Sequence, residues 1–310
     1  MNRILLSLAV IIAFGSGAVA STGAFFSDTE TSTGNTFAAG DIDLKIDNHS
    51  YAIDFNIPGY QYVPDGDLVA NPANSWTIAD LVAGTHKFFD FTDVKPGDYG
   101  EDTISIYSLS NDAWMCAAVR LTDDSDQSCT EPELSDDPAC TTPGLGQGEL
   151  DSALTFAFWA DDGDNVYEPV EGEGMGTVET MFLSGSLSDL ASSTQKIALA
   201  TPSGGVFGTD PLPGTNSLTK NPHVHIAKIW CAGALTPTNL VQDSSDNSRS
   251  PLTGTGFTCD GSAVNSAAQT DQVQGDIQFY TVQSRNTPDF SCTTDYTPVW
   301  PTLTPIPTPD

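Results

Sequence analysis

Short runs in which apolar residues alternate with polar ones recur along the chain, and stripes at helical spacing are scarce. Ile42-x-Leu44-x-Ile46 alternates cleanly, and Ile104-x-Ile106 leads on to "AWMCAAVRL". Leu154-x-Phe156-x-Phe158 follows, then Val224-x-Ile226 with "KIWCAGAL", then Ile277-x-Phe279 with Val282. A period of two places successive side chains on opposite faces of a strand. These runs are rich in β-branched and aromatic residues, and clusters of Gly, Pro, Asp, Asn and Ser separate them. The pattern predicts an all-β sandwich with one buried face per sheet. Helices are expected only as short pieces, at Ser186–Ser193 and Thr77–Gly84.

The N-terminus predicts export. Arg3 precedes an uncharged run, Ile4 to Ala20, that is too short and too small-residue-rich at its end for a membrane span. Two cleavage points satisfy the small-x-small rule. Ala18-Val19-Ala20 starts the mature chain at Ser21, and Thr22-Gly23-Ala24 starts it at Phe25. An exported chain with six cysteines predicts three disulfides. Fifteen pairings exist for Cys116, Cys129, Cys140, Cys231, Cys259 and Cys292. The favoured one joins Cys129 to Cys140 and Cys231 to Cys259, each closing a polar loop, and leaves Cys116 for Cys292. A cysteine metal site is disfavoured, because there is no CxxC and the histidines lie elsewhere.

Forty-one acidic residues stand against ten basic ones, a net charge of −31. With no basic patch to meet phosphate, nucleic acid is not an expected partner. The same charge disfavours anionic membranes and suits a secreted protein that resists aggregation or gathers divalent cations. Three stretches look like additions to a sandwich. Ser50–Asn74 reads as an insertion folded onto a sheet, while Asp123–Gly148 and Asp243–Ala268 read as long loops tied by cysteines. The last residues, "YTPVWPTLTPIPTPD", are dense in proline and predict a stiff extended tail.

The sharpest chemical signal is "FWADDGDNVYEPVEGEGMG", Phe158–Gly176. Asp161, Asp162, Asp164, Asn165 and Glu168 follow a strand closely, with Gly163 allowing a tight turn. Hard oxygen ligands at that density suit calcium, although the spacing departs from an EF-hand loop. Asp162, Asp164 and Glu168 are the first-choice ligands, assisted by Asn165, and the competing reading is a solvated acidic turn. His223-Val224-His225 places two imidazoles on one strand face, but no third or fourth zinc ligand is suggested by spacing. There is no HExxH, GxSxG, Walker loop or dinucleotide fingerprint, so no enzymatic activity is expected.

"GAFFSDTETSTGNTFAAGDIDLKID" resembles the N-terminus of the TasA/camelysin family. The matching residues are Ala24, Phe26-Ser27-Asp28, the Thr/Ser run Thr29–Thr33, then Asn35, Phe37, Ala39, Gly40, Ile42, Asp43 and Leu44. Val94-Lys95-Pro96-Gly97-Asp98, ahead of a strand that ends at Asn111-Asp112, resembles the family's Leu-Lys-Pro-Gly-Asp turn. The six cysteines depart from the cysteine-free founding members. The resemblance implies a jelly-roll β-sandwich, exported with a dedicated signal peptidase that cuts between Ala24 and Phe25. With the proline-rich tail at 296–310, it implies residues 1–24 as signal, 25–36 as a linking segment and 37–295 as the domain. It also implies a subunit of an extracellular fibre, pilus or biofilm matrix, free of the membrane after cleavage. In such fibres the N-terminal segment of one copy completes a sheet of the next. A monomeric surface adhesin is the alternative, and a camelysin-like metalloendopeptidase is a further one that no zinc-peptidase motif supports.

Overall fold

The computed structural model describes residues 42–53, 68–172, 178–214, 223–243 and 249–300. The expected signal, cleavage site and linking segment therefore lie outside the described residues, as does the tail from residue 301. Thirteen strands are described. They are β1 (Leu44–Ile53), β2 (Leu68–Ala70), β3 (Trp76–Ala79), β4 (Tyr99–Ser108), β5 (Ala113–Asp126), β6 (Gly144–Leu145) and β7 (Leu154–Asp161), followed by β8 (Thr180–Ser186), β9 (Gln195–Ala200), β10 (His223–Ala232), β11 (Ala234–Pro237), β12 (Phe257–Asp260) and β13 (Asp271–Gln283). Three short helices interrupt them: α1 (Glu131–Asp136), α2 (Leu150–Ala153) and α3 (Leu187–Ala191).

The strands form an antiparallel sandwich. One sheet runs β2-β1-β4-β10-β7-β8, with β3 also on β1, and the facing sheet runs β13-β5-β6, with β9 also on β5. β11 and β12 pair as a separate ribbon. Ile46, Ile104, Ile106, Phe156, Phe158, Ile226 and Trp230 point inward from the first sheet. Met115, Ala117 and Leu199 meet them from the second. The opposite faces are covered as well. Trp114, Cys116 and Ala118 pack under Phe290, Cys292 and Tyr296, while Ala157, Trp159, Ala227 and Ile229 pack under Tyr167 and Phe257. Burial on both faces explains why "AWMCAAVRL" and "KIWCAGAL" read as near-continuous apolar runs.

The bridges are Cys116–Cys292, Cys129–Cys140 and Cys231–Cys259, the favoured pairing. They tie more than loops. Cys231 lies within β10 and Cys259 within β12, so that bridge clamps the small ribbon to the large sheet. Cys116–Cys292 pins the C-terminal segment to β5 across 176 residues. Tyr296 stacks on Tyr280 at 4.8 Å and Arg120 lies 4.5 Å over Trp300, so packed structure continues past residue 295 into the expected tail. Aromatic side chains decide this, since they bury large areas that a proline-rich spacer lacks.

Other expectations are corrected. Thr77–Gly84 is no helix: β3 pairs with β1, and Trp76 Nε1 donates to Ile46 O at 3.3 Å, so ladder bonds replace helical ones. Ser50–Ile53 and Leu68–Ala70 are paired strands of the large sheet, and Asp123–Asp126 completes β5. The short helix expected near Ser186–Ser193 is α3, capped by Ser186 Oγ accepting from Asp189 N. Lys95-Pro96-Gly97-Asp98 is a tight turn into β4. Asp98 N donates to Lys95 O at 2.9 Å, and Gly97 takes φ +89, which a type II turn requires at that position.

Candidate metal centre

β7 ends at Asp161 on the outer face of the large sheet, and the chain turns sharply through Gly163 (φ +117) and Asn165 (φ +63). Local carboxylates hold this turn. Asp161 Oδ2 accepts from Gly163 N at 3.0 Å and Asn165 N at 3.2 Å, and Asp161 Oδ1 accepts from Trp159 Nε1 at 3.2 Å. Asp164 Oδ1 accepts from Val166 N at 2.9 Å. Glu179, next to the start of β8, closes the turn from the other side. Its Oε1 accepts from Asp162 N at 3.1 Å and its Oε2 from Glu168 N at 2.8 Å. One oxygen from each of Asp161, Asp162, Asp164 and Glu179 lies within 4.8 Å of the others.

Four carboxylates that close cannot all ionise cheaply without a cation. Burial, with the like charges of Asp161 and Asp162, pushes the Asp164 carboxyl up to about 8. Burial also raises Asp161 and Glu179, with the Asp162 charge adding to the rise at Asp161 and the Asp161 charge to that at Glu179. Glu101, fully buried on the neighbouring face of β4, is pushed well above the carboxylate range by burial and then by the Asp161 charge. Neither Glu101 oxygen has a hydrogen-bond partner.

A second trio shares Asp162 and adds Glu168 and Asp243. Here the chain supplies its own cation. Arg249 ion-pairs with Glu168, its backbone N–H donates to Asp243 Oδ2 at 3.0 Å, and its Nη2 donates to Val241 O at 2.9 Å. Glu168 therefore faces a guanidinium and lies in the second group, with Asp162, rather than in the quartet. Among the described residues, no ion pair reaches Asp161, Asp164 or Glu179.

Elsewhere, Asp126, Glu133 and Asp271 converge beside the Cys129–Cys140 bridge. Glu133 Oε2 caps α1 by accepting from Thr130 N, and Asp271 Oδ2 accepts from Glu149 N and Leu150 N. These bonds account for much of that cluster as loop clamps. The adjacent sulfurs are bonded to each other and offer no thiolate to a metal.

Asp162, Gly163, Asp164 and Asn165 also line an open polar cleft of about 360 Å³ with Asp47, His49, Thr103 and His225. His225 Nδ1 lies 3.1 Å from Ser105 Oγ. Among the described residues no cluster of potential metal ligands includes a histidine.

Asp161, Asp162 and Asp164 are thus brought together as expected from the sequence, with Asn165 beside them and Glu168 diverted to Arg249. The residue missed was Glu179. Nothing in local spacing indicates it. The signal was the β7–β8 pairing, in which Ala160 opposes Thr180 and so sets Glu179 beside Asp161.

No protein-family model matches the chain, and no curated protein matches it. No helix among the described residues is long and apolar enough to cross a membrane. Three disulfides are compatible with an extracellular protein.

Proposed function

We propose that the chain is a secreted structural subunit that self-associates into an extracellular fibre or biofilm matrix, through addition of its N-terminal segment to a sheet edge of the next copy. The observation that supports this reading most is β13. It runs for 13 residues and, among the described residues, pairs with β5 alone. Its sequence, DQVQGDIQFYTVQ, contains neither proline nor lysine, the residues that usually blunt an edge. A register shift between Gln274 and Gly275 distorts one end only, leaving Asp276–Gln283 as a regular run. An extended segment docking there gains main-chain hydrogen bonds without a core of its own. Residues 25–36 are of matching length, and Phe25 and Phe26 supply apolar anchors. The sandwich accommodates the jelly-roll architecture that the family resemblance implies, and export through a signal peptidase cutting after Ala24 is part of the same reading.

The test is electron microscopy of the mature protein beside a variant lacking residues 25–36. Fibres that form from the full chain and vanish in the deletion are expected. Equal polymerisation by both would refute strand donation, and a strictly monomeric full-length protein would favour the adhesin reading, which draws on the polar cleft at Asp47, His49 and His225.

A further inference from the structure

The acidic turn after β7 holds two adjacent carboxylate groups that share Asp162, and the chain treats them differently. In the Asp162–Glu168–Asp243 trio, Arg249 ion-pairs with Glu168 and its backbone N–H bonds Asp243. The Asp161–Asp162–Asp164–Glu179 quartet carries more acid and receives no side-chain cation at Asp161, Asp164 or Glu179 among the described residues. A fold that merely tolerated an acidic turn would have splayed these groups into water. Instead Asp161 and Glu179 are 8% and 5% exposed, and backbone N–H groups hold them pointing at each other.

Asn165 adds an independent observation. It is 2% exposed, and neither its Oδ1 nor its Nδ2 has a hydrogen-bond partner. A buried amide left this way forfeits on the order of 1–3 kcal/mol unless something else takes its carbonyl. It lines the same cleft as Asp162 and Asp164, one residue on from Asp164 in the turn. Asp164 Oδ2 is also without a hydrogen-bond partner.

We propose that Asp161, Asp162, Asp164 and Glu179 bind one calcium ion, with the Asn165 side-chain carbonyl as a neutral ligand on the cleft side. The carboxylate oxygens that accept backbone N–H bonds keep a second lone pair for the metal. An all-oxygen, carboxylate-rich set on an irregular turn suits calcium, which takes six to eight ligands in flexible geometry. Magnesium demands a near-ideal octahedron, and the softer zinc and copper prefer the imidazole and thiolate that are missing from this set. The ion fastens the turn to the outer face of the sheet, independently of how the protein assembles.

Trp159 makes the site readable, because its indole N–H donates to Asp161. Terbium, a calcium mimic, is added to the chelator-treated mature protein and its emission is excited through tryptophan. Sensitised emission that calcium displaces is expected, and Trp159→Phe should diminish it while calorimetry still counts the same number of calcium ions. Glu179→Gln and Asp164→Asn should each lower calcium affinity at least about tenfold, since loss of even a supporting outer group costs that much. Asp164→Asn relieves repulsion and keeps an acceptor oxygen for Val166 N, so its metal-free melting temperature should equal or exceed the parent's, which separates lost ligation from lost folding. Glu133→Gln, at the other acidic trio, should leave the Trp159-dependent emission intact. Failure of calcium to displace terbium, or emission unchanged by Glu179→Gln and Asp164→Asn, overturns the proposal.

Discussion

Lys228 is the most exacting test of how the sandwich is held together. It points from β10 into the core, directly opposite Asp102 of β4 in the strand register, and both residues are 1% exposed. Its Nζ ion-pairs with Asp102, donates to Phe88 O at 3.3 Å and sits 3.5 Å over the Phe89 ring. Burial pushes the Asp102 carboxyl up and the Lys228 ammonium down, each against the pull of the other. Lys228→Met keeps the length of the side chain and removes the charge, stranding the buried Asp102 with only the neutral Ser50 and Asn48 side chains to hydrogen-bond it. The folded variant then avoids a bare buried charge by protonating Asp102. Holding an Asp neutral at pH 7, about three units above its ordinary pKa, costs about 4 kcal/mol. That agrees with the 3–5 kcal/mol, roughly, typical of breaking a buried pair. Asp102 in this variant has a folded pKa above its unfolded one, so folding takes up a proton above pH ~4. The loss must therefore shrink on acidification, by about 1.4 kcal/mol per pH unit, to about 1.5 kcal/mol at pH 5. Denaturant unfolding of parent and variant at pH 5, 6 and 7, with disulfides intact, measures this slope. Adding Asp102→Leu to Lys228→Met should recover most of the stability, because an apolar pair removes the stranded group. A loss that is independent of pH, or a double variant no better than the single one, would refute this account of the core.

The disulfides should rank by the length of chain they close. By loop entropy, replacing Cys116 and Cys292 with alanine should cost about 5 kcal/mol for the 176-residue separation, and replacing Cys129 and Cys140 about 3 kcal/mol for the 11-residue one. Equilibrium unfolding of the two double variants gives the order directly, and the reverse order would mean that native packing outweighs loop closure. The calcium effect should depend on pH. Burial and like charge raise Asp161, Asp164 and Glu179 in the folded state, so the metal-free protein binds more protons folded than unfolded and loses stability as pH rises above about 4. Calcium competes with those protons. The rise in melting temperature on adding calcium should be larger at pH 8 than at pH 5, and thermal scans with and without the metal read the difference.

Local pattern alone was enough for the class of fold. Alternation at Ile104-x-Ile106 and Leu154-x-Phe156-x-Phe158 marks strands because the pleat itself has a period of two. Pro96-Gly97 marks a turn because only certain residues suit its backbone angles. The acid-rich turn at Asp161–Asn165 was legible for a similar reason, since its carboxylates lie within a few residues of one another. What lay beyond the sequence depended on partners far along the chain. Glu179 reaches Asp161 only through the β7–β8 register, and Arg249 claims Glu168 across 81 residues. Thr77–Gly84 has helical composition, but β3 finds a ladder on β1. Lys228 sits in a run whose period marks an inward face, yet no periodicity reveals that Asp102 awaits it there. Periodicity assigns each side chain to a face, and strand register decides which charges meet across it, because pairing joins residues that the chain itself keeps far apart.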